Sequence, residues 1–310
     1  MKSWVKWLGA ASVAATTAAT YGVAHHVSNR LLYYKKKELS LVIDREISAK
    51  RLDQDVFSQL PLVEKDIPSP FGYSIHSWFI TPYPDSKKVM IFSHGVSENK
   101  WNSIKYMDIF RELGFNAVLY DHRRHGDSGG ESTSYGVYEK RDLAAVVAET
   151  KKTFGEDALI GIHGESMGAV TTLLYASQVE DAVDFYVADC PFASFADQVA
   201  ERMKTESKLP LHVLMPVIDS VLYRRAGYSM YDSAPIDTVD RIQKPVLFIT
   251  TEKDDYIPAS ATIALYHKKQ GAKKLSVLKN GLHAQGLNEN KEAYQEVVKS
   301  FLDEMVYDTK

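Results

Sequence analysis

Cysteine is almost absent: the 310-residue chain has one, Cys190, which excludes an intrachain disulfide and a cysteine-rich zinc site. A surplus of either charge sign is missing as well. Thirty-seven Lys and Arg stand against 40 Asp and Glu, a formal charge of −3, too balanced for a phosphate-tracking surface without marked local clustering. Nucleic acid is therefore not an expected partner. Internal repeats are lacking, and the only biased tract is an Ala/Thr-rich start. Hydrophobic residues at 45% and charged residues at 25% exclude a disordered chain, a collagen-like repeat and a polytopic membrane protein. What is left is a globular body. Its length permits two domains of about 150 residues, although α/β chains of this size often fold around one core.

Long apolar runs are scarce too. The one candidate is Trp7 to Asn29, free of Asp, Glu, Lys and Arg; as a helix it would span about 35 Å against a bilayer core of about 30 Å. It is weakly apolar, with Leu8 its single leucine among Ala, Thr, Ser and Gly. The expectation is membrane association through residues 7–29 as a single-pass N-terminal anchor in the cell membrane. The alternative is secretion after signal-peptide cleavage, because Lys2 and Lys6 form a basic start and Gly22-Val23-Ala24 offers small residues at a cut site; a soluble amphipathic helix ranks third. On this reading 1–34 is anchor or signal, 35–61 is a charged, helix-compatible linker and 62–310 is the body. Every candidate chemical residue lies beyond position 90, so the body is expected to work without the N-terminal run.

Within the body, short β-rich runs alternate with longer helical stretches. The runs are Tyr73 to Ile80, Val89 to Ser93, Ala117 to Tyr120, Ala158 to Ile162, Phe185 to Asp189, Val246 to Thr250 and Leu275 to Leu278. Helical spacing of apolar residues marks Ile104 to Leu113, Val137 to Thr153, Ala169 to Ser177, Ala259 to Lys269 and Lys291 to Glu304. The alternation predicts a mostly parallel sheet flanked by helices. More than fifty residues separate Asp189 from Val246, too many for an ordinary crossover, so a small helical cap is expected over about 194–232. Leu214, Ile218, Val221 and Leu222 give that cap an apolar face that either closes over a site or packs the cap onto the sheet.

The chemistry concentrates at Gly164-Glu165-Ser166-Met167-Gly168, which follows a buried-strand pattern and precedes a small-residue helix. A nucleophile elbow needs that context, with glycines two residues either side so that strand and helix approach without colliding Cβ atoms. A serine hydroxyl is a poor nucleophile until a base removes its proton, and the base needs a third group to hold its tautomer. His283, directly after the last strand run, is the candidate base; His94, His122, His125 and His163 precede the serine and would need another chain order. For the acid, Asp254 is preferred, with Asp255 its immediate rival and Asp189 a third option. Oxyanion charge needs two aimed N–H groups: Met167 supplies one from the elbow, and Val96 the other from the loop after the strand at Val89 to Ser93. The stretch Asp121-His122-Arg123-Arg124-His125-Gly126-Asp127 lacks a P-loop ending and any metal spacing, so neither metal nor cofactor is expected. The partner is a small-molecule ester or acyl substrate.

Taken together, these motifs resemble the α/β-hydrolases, and more narrowly the single-chain serine hydrolases of Gram-positive bacteria with an N-terminal hydrophobic segment. The resemblance runs from about Leu62 to Phe301 and rests on Ser93-His94-Gly95, Tyr120 to Ser128, the Ser166 elbow, Ala188-Asp189-Cys190-Pro191-Phe192, Asp254-Asp255-Tyr256-Ile257-Pro258 and Gly281-Leu282-His283, all in family order. It implies an α/β-hydrolase fold with Ser166 as nucleophile, Asp254 as acid and His283 as base, hydrolysing esters through an acyl-enzyme. A peptidase or amidase of the same fold, or a tethered binding protein on a hydrolase scaffold, are the alternatives. Two departures bear on loop geometry: the family usually has His-Gly where Thr250-Thr251 stands, and often Gly-His-Gly where this chain has Leu282-His283-Ala284.

Overall fold

The computed structural model describes residues 3–206 and 210–307, with side chains from residue 17 onward except at 205. Lys2, counted in the basic start, and residues 207–209 within the expected cap lie outside the described residues. Helix α1 (Ser3–Leu32) leads to α2 (Leu39–Ser48) and α3 (Gln54–Ser58). The sheet follows: β1 (Leu62–Pro68), β2 (Ser74–Ile80), β3 (Lys88–Ser93), β4 (Asn116–Tyr120), β5 (Leu159–Glu165), β6 (Phe185–Asp189), β7 (Val246–Thr251) and β8 (Lys273–Leu278). Around it lie α4 (Ile104–Glu112), α5 (Glu139–Phe154), α6 (Met167–Gln178), α7 (Phe195–Glu206), α8 (Leu211–Ala226), α9 (Ala259–Lys268), α10 (Gly286–Glu289) and α11 (Lys291–Leu302).

The eight strands lie in the order β1-β2-β4-β3-β5-β6-β7-β8. β1 and β2 pair antiparallel, as do β2 and β4, and every later pairing is parallel. This is the mostly parallel α/β sheet that the alternation predicted, with an antiparallel edge. Strands β4 to β7 are buried at nearly every position, because helices cover both faces and an unbroken apolar run is what such strands need. One layer of core packs Val89, Ile91, Val118, Ile160 and Leu173 against α5 and α6. The opposite layer packs Met90, Phe92, Phe110, Phe185 and Phe301 beneath α4 and α11. Strand order reverses at β3, whose neighbours are β4 and β5, and the crevice outside the carboxyl ends of such a switch point is where open α/β sheets bind ligands.

Two features depart from expectation. β1 was not anticipated: it is an edge strand carrying Glu64, Lys65 and Asp66 and ending at Pro68, largely exposed, so charge and proline hid it, as edge strands commonly do. The second correction concerns the N-terminus. Among the described residues no helix is long and apolar enough to cross a membrane. The C-terminal half of α1 instead lies on α8. Ala24, Val27 and Leu32 are buried there in one cluster with Val170 and Leu174 of α6 and Leu214, Ile218, Val221 and Leu222 of α8. The apolar face of α8 thus packs between helices rather than standing over the site.

Candidate active site

The turn from β5 into α6 carries the strain expected of an elbow. Ser166 has φ 54° and ψ −114°, a left-handed backbone that costs a non-glycine residue about 1–3 kcal/mol and persists only where its surroundings fix it. The flanking glycines make it possible. A Cβ on Gly164 would come within 2.4 Å of the Gly168 carbonyl oxygen, and one on Gly168 within 1.9 Å of that of Ser93. The same pressure recurs nearby: Ser97 and Ala284, which line the cavity above Ser166, also have positive φ, 69° and 60°. Ala284 stands where the resemblance placed glycine, and its angle shows what that glycine would have eased.

Ser166 Oγ lies 2.8 Å from His283 Nε2, and His283 Nδ1 lies 2.8 Å from Asp254 Oδ2. The carboxylate holds the imidazole proton on Nδ1, which leaves Nε2 free to accept from the serine hydroxyl. Asp254 is itself fixed: its side chain is 1% exposed, and its Oδ1 accepts from the N–H groups of Tyr256 and Ile257 at 2.9 and 2.8 Å. The two rival acids are placed elsewhere. Asp255 accepts from the His283 backbone N–H at 3.3 Å. Asp189 takes hydroxyl donors from Tyr294 and Tyr106 at 3.0 and 3.3 Å, and burial, followed by the charge of Glu165, pushes its carboxyl up to about 7. Val96 lines the cavity with Ser166. Met167 is the first residue of α6, where helical N–H groups have no intrahelical acceptor.

The remaining histidines of the motifs serve as scaffold. His94 donates from Nδ1 to the Gly95 carbonyl at 2.8 Å and accepts the His122 N–H at Nε2, 3.0 Å away. His125 accepts the Ser97 N–H at 3.3 Å. Burial lowers the pKa of all three, so they stay neutral and pin the loop bearing Val96 from behind. Asp121 receives the buried Lys100 ammonium at 2.6 Å, and Arg123 lies over the Tyr138 ring, 4.7 Å from its centroid. The mixed stretch from Asp121 to Asp127 is therefore structural.

Sequence reasoning missed a charged lattice beneath the elbow. Glu165, the residue before Ser166, accepts from Tyr106 at 2.7 Å and Asn102 at 3.1 Å and pairs with Lys105 at 3.3 Å. Burial alone would raise its pKa, yet Lys105 and these donors hold it down at about 2. Asn102 in turn accepts from Arg45, which grips Glu98 with two bonds of 3.0 Å and Glu46 at 2.7 Å. Helix α2 of the expected linker thus forms a wall of the catalytic cavity, whose volume is about 210 Å³. Among the described residues the one cluster with metal-ligand geometry is Cys190, Asp254 and His283. Two of its three members are already hydrogen-bonded to one another, which favours a proton relay over a metal centre.

A sequence profile of the family described as serine aminopeptidase, S33, matches residues 84–226. The uncharacterized protein YqkD of Bacillus subtilis is 45% identical over 298 residues, covering 95% of this chain and 96% of its own. Alpha/beta hydrolase domain-containing protein 17B of Xenopus tropicalis is 25% identical over 202 residues, 64% of this chain and 61% of its own length. Among solved structures, an esterase of Pyrococcus furiosus superposes with a TM-score of 0.66 at 23% identity, covering 82% of this chain and 94% of that one. That last likeness is one of fold.

Proposed function

The chain belongs to the α/β-hydrolase family, and from that premise we propose that it is a serine hydrolase acting on carboxylic esters through an acyl-enzyme. The observation that carries this reading is the continuous chain of two 2.8 Å hydrogen bonds from Ser166 through His283 to Asp254, on a strained elbow at the sheet's switch point. Ser166 Oγ attacks the acyl carbon while His283 Nε2 takes the hydroxyl proton. The carbonyl oxygen gathers charge between the Val96 and Met167 amides, each worth about 10²–10³ in rate in comparable sites. As the tetrahedral centre collapses, the ester C–O bond breaks and the leaving alkoxide receives the proton from His283. Water then attacks the acyl-enzyme, giving its proton to His283, and the acid leaves as Ser166 regains it. Asp254 holds the imidazole throughout.

The ester reading takes its support from the likeness to the Pyrococcus furiosus esterase, with the amide as its alternative. The test is a screen of p-nitrophenyl esters beside aminoacyl p-nitroanilides, with the parent and Ser166→Ala. Ester hydrolysis that Ser166→Ala abolishes is the expected result; faster turnover of the anilides would assign a peptidase, and unchanged ester turnover by Ser166→Ala would refute the nucleophile.

A further inference from the structure

A second cavity, about 200 Å³, lies between α1 and α7 and takes no part in the bond-making just described. Val27 and Leu31 of α1 form one side, and Phe195, Val199 and Met203 of α7 the other. Tyr135, which also lines it, stacks on Phe195 with ring centroids 4.0 Å apart. Charge is confined to partly exposed groups, chiefly the ion pair of Arg30 with Glu206 that joins the two helices. Tyr34 and Tyr256 line both this cleft and the catalytic cavity, and the Tyr256 ring lies 5.2 Å from that of His283.

The catalytic cavity is a poor host for an alkyl chain. Its wall holds Arg45, Glu46, Arg51 and Glu98 in mutual ion pairs, and methylenes laid over them would displace water from charges while offering no hydrogen bond. An acyl chain leaving Ser166 therefore finds an apolar refuge in the adjacent cleft rather than in the catalytic cavity. We propose that the α1–α7 cleft holds the acyl chain of the substrate, so that the N-terminal helix is a substrate-binding element and the preferred substrate is an ester of a medium-length aliphatic acid with a polar alcohol part. This rests on the serine-hydrolase reading above.

The test compares kcat/KM for p-nitrophenyl acetate and p-nitrophenyl decanoate in the full-length parent, Leu31→Trp and Val199→Trp. The parent should gain with each added methylene, by up to about fourfold where the methylene is fully buried. Either indole, entering from opposite walls, should lower the decanoate-to-acetate ratio at least tenfold; a ratio unchanged in both variants overturns the proposal. Decanoate titrated calorimetrically into Ser166→Ala supplies an arm independent of turnover. It should bind, and Leu31→Trp added to that variant should weaken binding at least tenfold. A protein that hydrolyses no ester yet binds decanoate in this way refutes the esterase reading and keeps the cleft, whereas ester hydrolysis without decanoate binding does the reverse.

Discussion

The two cavities that share Tyr34 and Tyr256 are nearly equal in volume, about 210 and about 200 Å³, and differ in how they are built. The first is built from loops at strand ends and held by charge: Asp254 on His283, Lys105 and Asn102 on Glu165, Arg45 on Glu98. The second is built by helix packing, with Val27 and Leu31 of α1 against Phe195, Val199 and Met203 of α7. Reactivity needs groups fixed within a fraction of an ångström, which strained backbone and charge-assisted hydrogen bonds supply. A chain-binding cleft needs area and shape, which packed helices supply.

The comparison breaks most readily at the charged side. Asp254→Asn leaves the geometry in place but forfeits control of the imidazole tautomer, so ester turnover should fall by about 10⁴. Asp255→Asn, which touches only the His283 backbone, should stay within about tenfold of the parent, far above the level expected of the triad acid. Steady-state kinetics on one short-chain ester reads both, and an inverted order would move the acid to Asp255.

A smaller effect sharpens the account of Asp189. Its carboxyl is raised to about 7 when folded against about 3.9 when unfolded. The folded chain thus binds this proton more tightly than the unfolded one. The resulting stability is complete below about pH 4 and is lost as pH rises through about 7. Asp189→Asn removes that dependence, so its stability relative to the parent should rise between those pH values and level off above them. Urea unfolding at pH 5 and pH 8 measures it; a constant difference would mean that Asp189 is ionised at both.

How much of this was legible depended on how local the signal was. The elbow could be read because a strand pattern, two glycines and a small-residue helix stand within about twenty residues, and the structure places Ser166 and His283 in hydrogen-bond contact. Asp254 and Asp255 were harder to separate, since adjacent carboxylates differ only in direction, and direction is set by the Tyr256 and Ile257 amides. The lattice around Glu165 left no trace, because Asn102 and Lys105 reach it from about sixty residues away in sequence and Arg45 joins through Asn102 from farther still.

The N-terminal run was harder to read for another reason. Its freedom from charge suggested a membrane span, and in the structure Val27 within it, with Leu31 and Tyr34 just after it, lines the second cavity. A signal did exist. Thr20, Ala24, Val27, Ser28 and Leu32 are all buried, and their three- and four-residue spacing is that of one helix face. Four of these five are neither leucine nor isoleucine, so a scale of apolarity passes over them.

The claim on which both cavities depend is that Ser166 is the reacting atom's bearer. Labelling the full-length protein with an alkyl fluorophosphonate, followed by mass measurement of its peptides, tests this directly. One adduct on the peptide bearing Ser166, absent from the Ser166→Ala variant, is the predicted result; an adduct on another serine, or none while the parent hydrolyses esters, would contradict it.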